Sequence, residues 1–359
     1  MLHFHPLKVK ALKKETAECI SVYFDVPEDK KELFAFKHGQ HLTLKTIIGG
    51  EEVRRSYSIC TSPLDNQLGV AIKTILDGKF SNFAYNQLQV GDTLEVMPPL
   101  GKFTTELLPE NKKNYLFIAA GSGITPVMSI VKTILQTEPG SNITLLYGNR
   151  TKGSIIFKDQ FEALKNKYMN RISVYYILSK ETADAEILSG RIDRSKLDYF
   201  LGKIIDPEIL DECFLCGPEE MIQGGKDALL HAGVDPKNIH FELFTTTGLQ
   251  LAKKENTVKA AISDGPMSKV TIKLDGVSTE MNVPFEGETV LDVAIKNGSD
   301  LPYACKGGVC CACKAKLEKG KVKMDVNYGL EPDELEAGFI LTCQAHPETE
   351  EVVINFDEK

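Results

Sequence analysis

Cys305-Lys306-Gly307-Gly308-Val309-Cys310-Cys311-Ala312-Cys313 packs four thiols into one short loop of a 359-residue chain that has nine cysteines in all. Thiolates are soft ligands, and four of them hold either zinc or an iron–sulfur cluster. Zinc sites usually present two tight ligand pairs. Here Cys305, Cys310 and Cys313 share one loop in a C-x4-C-x2-C spacing, and Cys343 follows from far downstream. That asymmetry is the [2Fe–2S] spacing. Gly307 and Gly308 suit it, because small residues let backbone N–H groups approach the bridging sulfides and tune the centre. Cys311 falls outside the pattern and reads as a small buried filler.

Working outward, two hairpin strands are expected at Val270 to Leu274 and Thr279 to Val283, a helix at Val290 to Asn297, and a closing strand at Glu351 to Phe356. Leu301-Pro302-Tyr303-Ala304 leads into the loop, and Leu341-Thr342-Cys343-Gln344 carries the last thiol. On these residues, the segment from about Val270 to the C-terminus resembles plant-type ferredoxins. The resemblance implies an α+β β-grasp domain over 269–359, with Tyr303 packed beside the loop. Upstream, the polar, threonine-rich stretch 245–268 reads as a linker.

Further back, Asn114 to Ala120 is a continuous apolar run of the kind buried on both faces of a parallel sheet. Helical segments at Val127 to Gln136, Phe157 to Tyr168 and Pro218 to His231 alternate with strands at Ile143 to Tyr147, Ile172 to Leu178 and Glu212 to Cys216. Such alternation predicts a doubly wound α/β domain, assigned to 109–244. Residues 1–108 instead hold short runs broken by turn signals, such as His41 to Lys45, Ile47-Ile48-Gly49-Gly50 and Leu68 to Lys73. These predict a small antiparallel β-barrel.

Arg55-Ser56-Tyr57-Ser58 pairs a guanidinium that can hold phosphate with a ring that can cover an isoalloxazine. Gly121-Ser122-Gly123-Ile124-Thr125-Pro126 follows the buried strand and opens a helix, so its amides can receive a pyrophosphate. Cys213-x2-Cys216 leaves a redox dithiol open as a second reading. Taken in order with Gly39-Gln40-His41, Gly78-Lys79-Phe80-Ser81, Gly91-Asp92 and Cys216-Gly217-Pro218-Glu219, these segments resemble the ferredoxin–NADP reductase family. The resemblance implies FAD held by Arg55, Tyr57, Ser58, Lys79, Phe80 and Ser81, with Phe244 of Glu242-Leu243-Phe244 over the other flavin face. It further implies a nicotinamide nucleotide received by Gly121, Ser122, Gly123, Thr125, Cys216, Gly217 and Pro218. Ser58, Cys216 and Glu242 would stand nearest the hydride transfer. In this family Phe244 would be terminal, whereas here a linker and ferredoxin follow.

NADPH is expected over NADH, because Asn149-Arg150-Thr151 after the second strand brings an arginine and no acid to the ribose. Lys152 and Arg191 are candidate helpers. The cluster loop, together with Met324-Asp325-Val326-Asn327-Tyr328 and Leu330-Glu331-Pro332-Asp333-Glu334, resembles the reductase subunits that serve bacterial phenylacetyl-CoA epoxidation. That implies electron flow from NADPH through FAD and the [2Fe–2S] cluster at Cys305, Cys310, Cys313 and Cys343 to a di-iron oxygenase. A reductase of another oxygenase or of a haem or hybrid-cluster protein, and a redox-sensing module, stay open as other readings.

The chain carries 42 basic and 50 acidic residues, a formal charge of −8, which argues against nucleic acid as a partner. The N-terminus lacks the apolar core of a signal peptide and no run is long enough for a membrane span, so a cytoplasmic protein without membrane partners is expected. From Ser268 onward there are 10 lysines, no arginine and 17 acids, so nearly all of the negative charge belongs to the ferredoxin unit. Within it, Lys306, Lys314, Lys316, Lys319, Lys321 and Lys323 read as one group and Glu331, Asp333, Glu334 and Glu336 as another. This division is expected to steer docking.

Overall fold

The computed structural model describes residues 3–183, 185–244 and 265–358. Most of the expected linker therefore lies outside the described residues. Two compact units result, one from most of His5 to Phe244 and one from the C-terminal residues. Among the described residues no helix is long and apolar enough to cross a membrane.

The larger unit begins with strands β1 (His5–Thr16), β2 (Cys19–Asp25), β3 (His41–Ile48), β4 (Glu51–Ser58), β5 (Leu68–Lys73) and β6 (Thr93–Val96), with helix α1 (Lys79–Asn86) between the last two. They form one sheet in the order β4-β3-β6-β1-β2-β5. A bridge between Ile59 and Val70 joins the chain just past β4 to β5, at the opposite edge. Period-two alternation drives the burial: Leu7 and Val9 are 1% exposed while Lys8 and Lys10 face solvent. The Gly49-Gly50 turn between β3 and β4 needs positive φ at both positions, +61° and +81°, which glycine adopts without strain.

The same unit continues with β7 (Asn114–Ala120), α2 (Ile124–Thr137), β8 (Asn142–Asn149), α3 (Lys158–Lys167), β9 (Ile172–Leu178), α4 (Arg194–Lys203), β10 (Glu212–Gly217), α5 (Glu219–His231) and β11 (Ile239–Leu243). The sheet is parallel throughout, in the order β11-β10-β7-β8-β9. Strand order therefore reverses between β7 and β10, and a ligand crevice opens beyond the carboxyl ends of those two strands. Helix α4 and strand β11 are additions to the elements expected from sequence. Strand β11 (Ile-His-Phe-Glu-Leu) lies at a sheet edge, and only Leu243 of it is fully buried, so no apolar run announces it.

In the C-terminal unit, β12 (Met267–Leu274), β13 (Val277–Pro284), β14 (Lys314–Lys319), β16 (Phe339–Leu341) and β18 (Glu351–Asn355) form a sheet in the order β13-β12-β18-β14-β16. Strands β15 (Val322–Met324) and β17 (Ala345–Pro347) pair separately. The helix Val290–Lys296 buries Val290, Leu291, Val293 and Ala294 in the same core as Val270, Ile272, Val352 and Ile354. The expected split between lysines and acids does not hold in space. Lys314 pairs with Glu334 at 2.9 Å, Lys306 with Asp292 at 2.9 Å and Lys319 with Glu351 at 2.6 Å. Opposite charges interleave because the fold brings a strand lysine to a helix acid, a loop lysine to a helix acid, and a lysine and an acid of neighbouring strands together.

Glu138, fully buried at the end of α2, is the polar anchor of the nucleotide domain. Its carboxylate accepts from Tyr115 Oη (2.9 Å), Ser141 Oγ (2.7 Å), Asn111 Nδ2 (2.6 Å) and the Leu108 amide (3.3 Å). Glu138→Ala leaves those donors without their acceptor. The expected outcome is a loss of about 2–4 kcal/mol, read from the urea midpoint of the purified full chain.

Candidate functional site

Strand register brings the three expected catalytic groups together. Cys216 on β10 lies directly beside Glu242 on β11. At the end of β4, the Ser58 hydroxyl donates to Glu242 Oε2 at 3.0 Å. Burial pushes the Glu242 carboxyl up to about 8, with the Ser58 hydrogen bond pulling the other way. Burial also raises the Cys216 thiol far above its ordinary range, and the neighbouring Glu242 adds to this, so Cys216 stays neutral. Cys213 and Cys216 are three apart on one strand, which points them to opposite faces of the sheet. This removes the dithiol reading.

The two nucleotide loops meet backbone to backbone. A Cβ on Gly123 would fall 2.1 Å from the Cys216 carbonyl oxygen and 2.9 Å from the Gly217 nitrogen, so no side chain fits there. Pro218 follows in extended conformation and opens α5. Gly121 adopts φ +56°, and its carbonyl accepts from the buried Tyr147 hydroxyl at 3.1 Å. Ser122 and Thr125 are linked by a 3.0 Å bond from the Thr125 hydroxyl to the Ser122 carbonyl. Thr125 is only 2% exposed, so it shapes the turn more than it lines open space. Helix α2 is in turn fastened to the barrel: Ser129 donates to the Thr61 carbonyl at 2.6 Å, and the Thr133 and Ser62 hydroxyls lie 3.0 Å apart. Those bonds begin three residues after Ser58 and fix its distance from the nucleotide loops.

At the flavin segment, Tyr57 packs against Phe80 with ring centroids 5.6 Å apart. Phe80 itself is 1% exposed in the barrel core, so it backs Tyr57 and has only its amide to offer a ligand. Ser81 accepts from the Ile75 amide and donates to the Gly78 carbonyl, both at 3.3 Å, closing the turn before α1. The first-turn amides of α1 lack intrahelical acceptors and suit a diphosphate. Arg55 is exposed on β4, and Lys79 is ion-paired with Glu51. Phe244 is half-buried against the core of the nucleotide domain.

Arg150, Lys152 and Arg191 are all exposed around the carboxyl ends of β8 and β9. Two residues missed by sequence reasoning reach this crevice from other strands. Lys73, at the end of β5, holds its ammonium 3.9 Å from the place a Cβ on Gly121 would take. Glu181, beyond β9, accepts the Lys152 amide at 2.8 Å and so carries a carboxylate to the turn that follows Arg150. Only cross-strand register could have revealed either. A cavity of about 530 Å³ lined by Ser179, Lys180, Glu181, Ser189 and Gly190 lies beside this turn.

In the C-terminal unit, Cys305 is exposed, while Cys310, Cys313 and Cys343 are buried. Among the described residues no three Cys, His, Asp or Glu side chains converge on a single-ion site. The cysteine sulfurs accept from the polypeptide: Cys310 Sγ from the Cys305 amide at 3.5 Å, Cys305 Sγ from the Gly307 amide at 3.3 Å and Cys343 Sγ from Gln344 Nε2 at 3.5 Å. The Cys310 thiol and then the Gly307, Val309 and Cys310 amides hold Cys305 down to about 5. Gly308 sits at φ +72°, a conformation that favours glycine, and a Cβ there would press on Val326 and Gln344 at 3.1–3.2 Å. The Cys343 thiol is held below its ordinary range, first by Cys313 and further by Gln344 and the Gly308 amide. This donor set, thiols ringed by inward amides, fits a [2Fe–2S] cluster. Cys311, expected as a small buried filler, packs half-buried against the domain core at φ +52° and also donates to the Gly329 carbonyl at 2.9 Å, which ties the loop to the turn after β15.

Comparison with known proteins agrees with this geometry. Residues 6–105 match the oxidoreductase FAD-binding domain, 117–227 the oxidoreductase NAD-binding domain, and 272–348 the 2Fe-2S iron-sulfur cluster binding domain. The chain is 46% identical over 359 residues to one of the subunits of 1,2-phenylacetyl-CoA epoxidase from Escherichia coli K12, covering 100% of this chain and 99% of the relative. It is 34% identical to the ferredoxin reductase component of 3-ketosteroid-9-alpha-monooxygenase from Rhodococcus rhodochrous, covering 98% and 96%. Among solved structures, phthalate dioxygenase reductase shares the fold with a TM-score of 0.59 at 21% identity, covering 98% of both chains. With FAD-, NAD- and [2Fe–2S]-binding domains in one polypeptide and full-length relatives of this kind, the chain belongs to the family of iron–sulfur flavoprotein reductase components of multicomponent oxygenases.

Proposed function

We propose that this chain is the NADPH-oxidising reductase of a phenylacetyl-CoA epoxidase and delivers electrons to di-iron oxygenase subunits. The observation that carries the reading is the 46% identity to the Escherichia coli epoxidase component over the whole chain, with all three domains included. Bound FAD accepts two electrons together from nicotinamide and releases them one at a time, as a [2Fe–2S] cluster requires. The chain supplies position and protonation. Arg55 and the first-turn amides of α1 hold the flavin diphosphate, and Tyr57, backed by Phe80, covers the ring. Lys73 and the Gly121–Gly123 turn receive the nucleotide pyrophosphate. Glu242 keeps its proton until the pH approaches about 8, and Ser58 is the hydroxyl beside it. Cys305, Cys310, Cys313 and Cys343 hold the cluster.

With oxygenase subunits added, NADPH consumption should depend on phenylacetyl-CoA; a reductase indifferent to that substrate would overturn the assignment. Because burial raises the Glu242 carboxyl, its protonated form is favoured and is lost as pH rises through about 8. Stopped-flow bleaching of bound flavin by NADPH should therefore slow above that pH. Glu242→Gln should flatten the profile, and Ser58→Ala should slow bleaching about a hundredfold. For nucleotide choice, Arg150→Glu should weaken NADPH use selectively, whereas Glu181→Gln should shift kcat/KM toward NADPH by removing a charge that repels the 2′-phosphate. Equal effects on NADPH and NADH would refute these two roles.

A further inference from the structure

Gln344 follows the last thiol in sequence, and its side chain turns back onto the cluster loop, which leaves the residue only 2% exposed. Its Nε2 lies 3.1 Å from the Lys306 carbonyl, 2.8 Å from the Cys343 carbonyl and 3.5 Å from Cys343 Sγ. Carbonyl oxygens only accept, so the nitrogen end of the carboxamide must face them, and that end is the one that meets the sulfur. The surroundings leave this group little freedom. The Gln344 amide donates to the Leu341 carbonyl at 2.9 Å, and its carbonyl accepts from the Asp325 amide at 3.0 Å. A Cβ on Gly308 would lie 3.2 Å from Gln344 Cγ, so the stem is packed against the loop. Thr342 is fastened through its hydroxyl to the Cys313 carbonyl at 3.0 Å. One buried side chain thus ties the last thiol to the loop that carries the other three, with an uncharged donor on the sulfur.

We infer that Gln344 raises the reduction potential of the cluster by donating a hydrogen bond to Cys343 Sγ. The inference rests on ligation by Cys343 and is independent of which oxygenase the chain serves. Reduction adds one electron, and so one negative charge, to the cluster and its thiolates, and an N–H donor stabilises the more negative state. In a site closed to solvent, no bulk water replaces that donor once it is removed. The carboxamide therefore favours movement of an electron from reduced flavin onto the cluster.

The test is an EPR-monitored redox titration of the full-length holoenzyme beside Gln344→Met, which keeps the bulk of the side chain and removes both N–H donors. With iron and sulfide content matched, the midpoint of the variant should fall, and NADPH should reduce a smaller fraction of its cluster at equilibrium. The rate of flavin bleaching should stay unchanged. An unaltered midpoint in fully loaded Gln344→Met would overturn the inference. A second measurement does not depend on the variant assembling its cluster. Pulsed EPR of the reduced, unaltered protein labelled with side-chain ¹⁵N glutamine should show a ¹⁵N coupling to the cluster, and its absence would equally refute the hydrogen bond. If the reduced protein gives no [2Fe–2S] signal at all, the ligation reading fails and takes this inference with it.

Discussion

A single hydrogen bond, Ser58 to Glu242 at 3.0 Å, joins residues 184 positions apart and fixes how the barrel addresses the nucleotide sheet. Neither end can be placed by local structure. Ser58 closes β4 of an antiparallel sheet, and Glu242 sits on an edge strand of a parallel one. Their meeting depends on α2, whose Ser129 and Thr133 bond to Thr61 and Ser62 of the barrel. It depends equally on Gly123, because any larger residue would push the α2 turn off the Cys216 carbonyl. The buried glutamate that results holds its proton near neutral pH because water has been excluded from around it, the general route by which a carboxyl is tuned for proton work.

What could be read from the sequence follows from how local each signal is. Cluster ligation is written in the spacing of Cys305, Cys310 and Cys313, since one loop must wrap one group. The buried run Asn114 to Ala120 and the glycine turn after it announce a parallel sheet and its phosphate loop for the same reason. Phe80 reads as ligand-facing because it lies within a binding motif, yet the helix turns its ring into the core behind Tyr57. Lys73 and Glu181 are illegible because each arrives from a strand that only register places near the crevice.

Charge shows the same limit. Along the sequence the lysines around β14 and the acids of the helix Pro332–Glu336 look like separate blocks. Packed, Lys314 reaches Glu334, which is only 7% exposed, and the pair is neutralised inside the fold. Because an ion pair with one buried member is screened less than one in open solvent, this pairing holds the helix in place more than it attracts partners. Only acids left outside such pairs contribute a docking field, so net charge by itself overstates the steering surface.

Nucleotide choice is where local reading and packing pull in opposite directions. After β8 the chain offers Arg150 and no acid, the pattern that accommodates a 2′-phosphate. The fold then returns Glu181 to the same turn, 2.8 Å from the Lys152 amide; in the proposed nucleotide site its carboxylate would suit a ribose hydroxyl and repel a phosphate. At a few ångströms, two opposite charges in exposed surroundings each contribute on the order of 1 kcal/mol. In the proposed site, preference would therefore be a small difference between comparable terms. The arginine alone cannot set its magnitude, because a ligand's 2′ substituent would meet both charges at once.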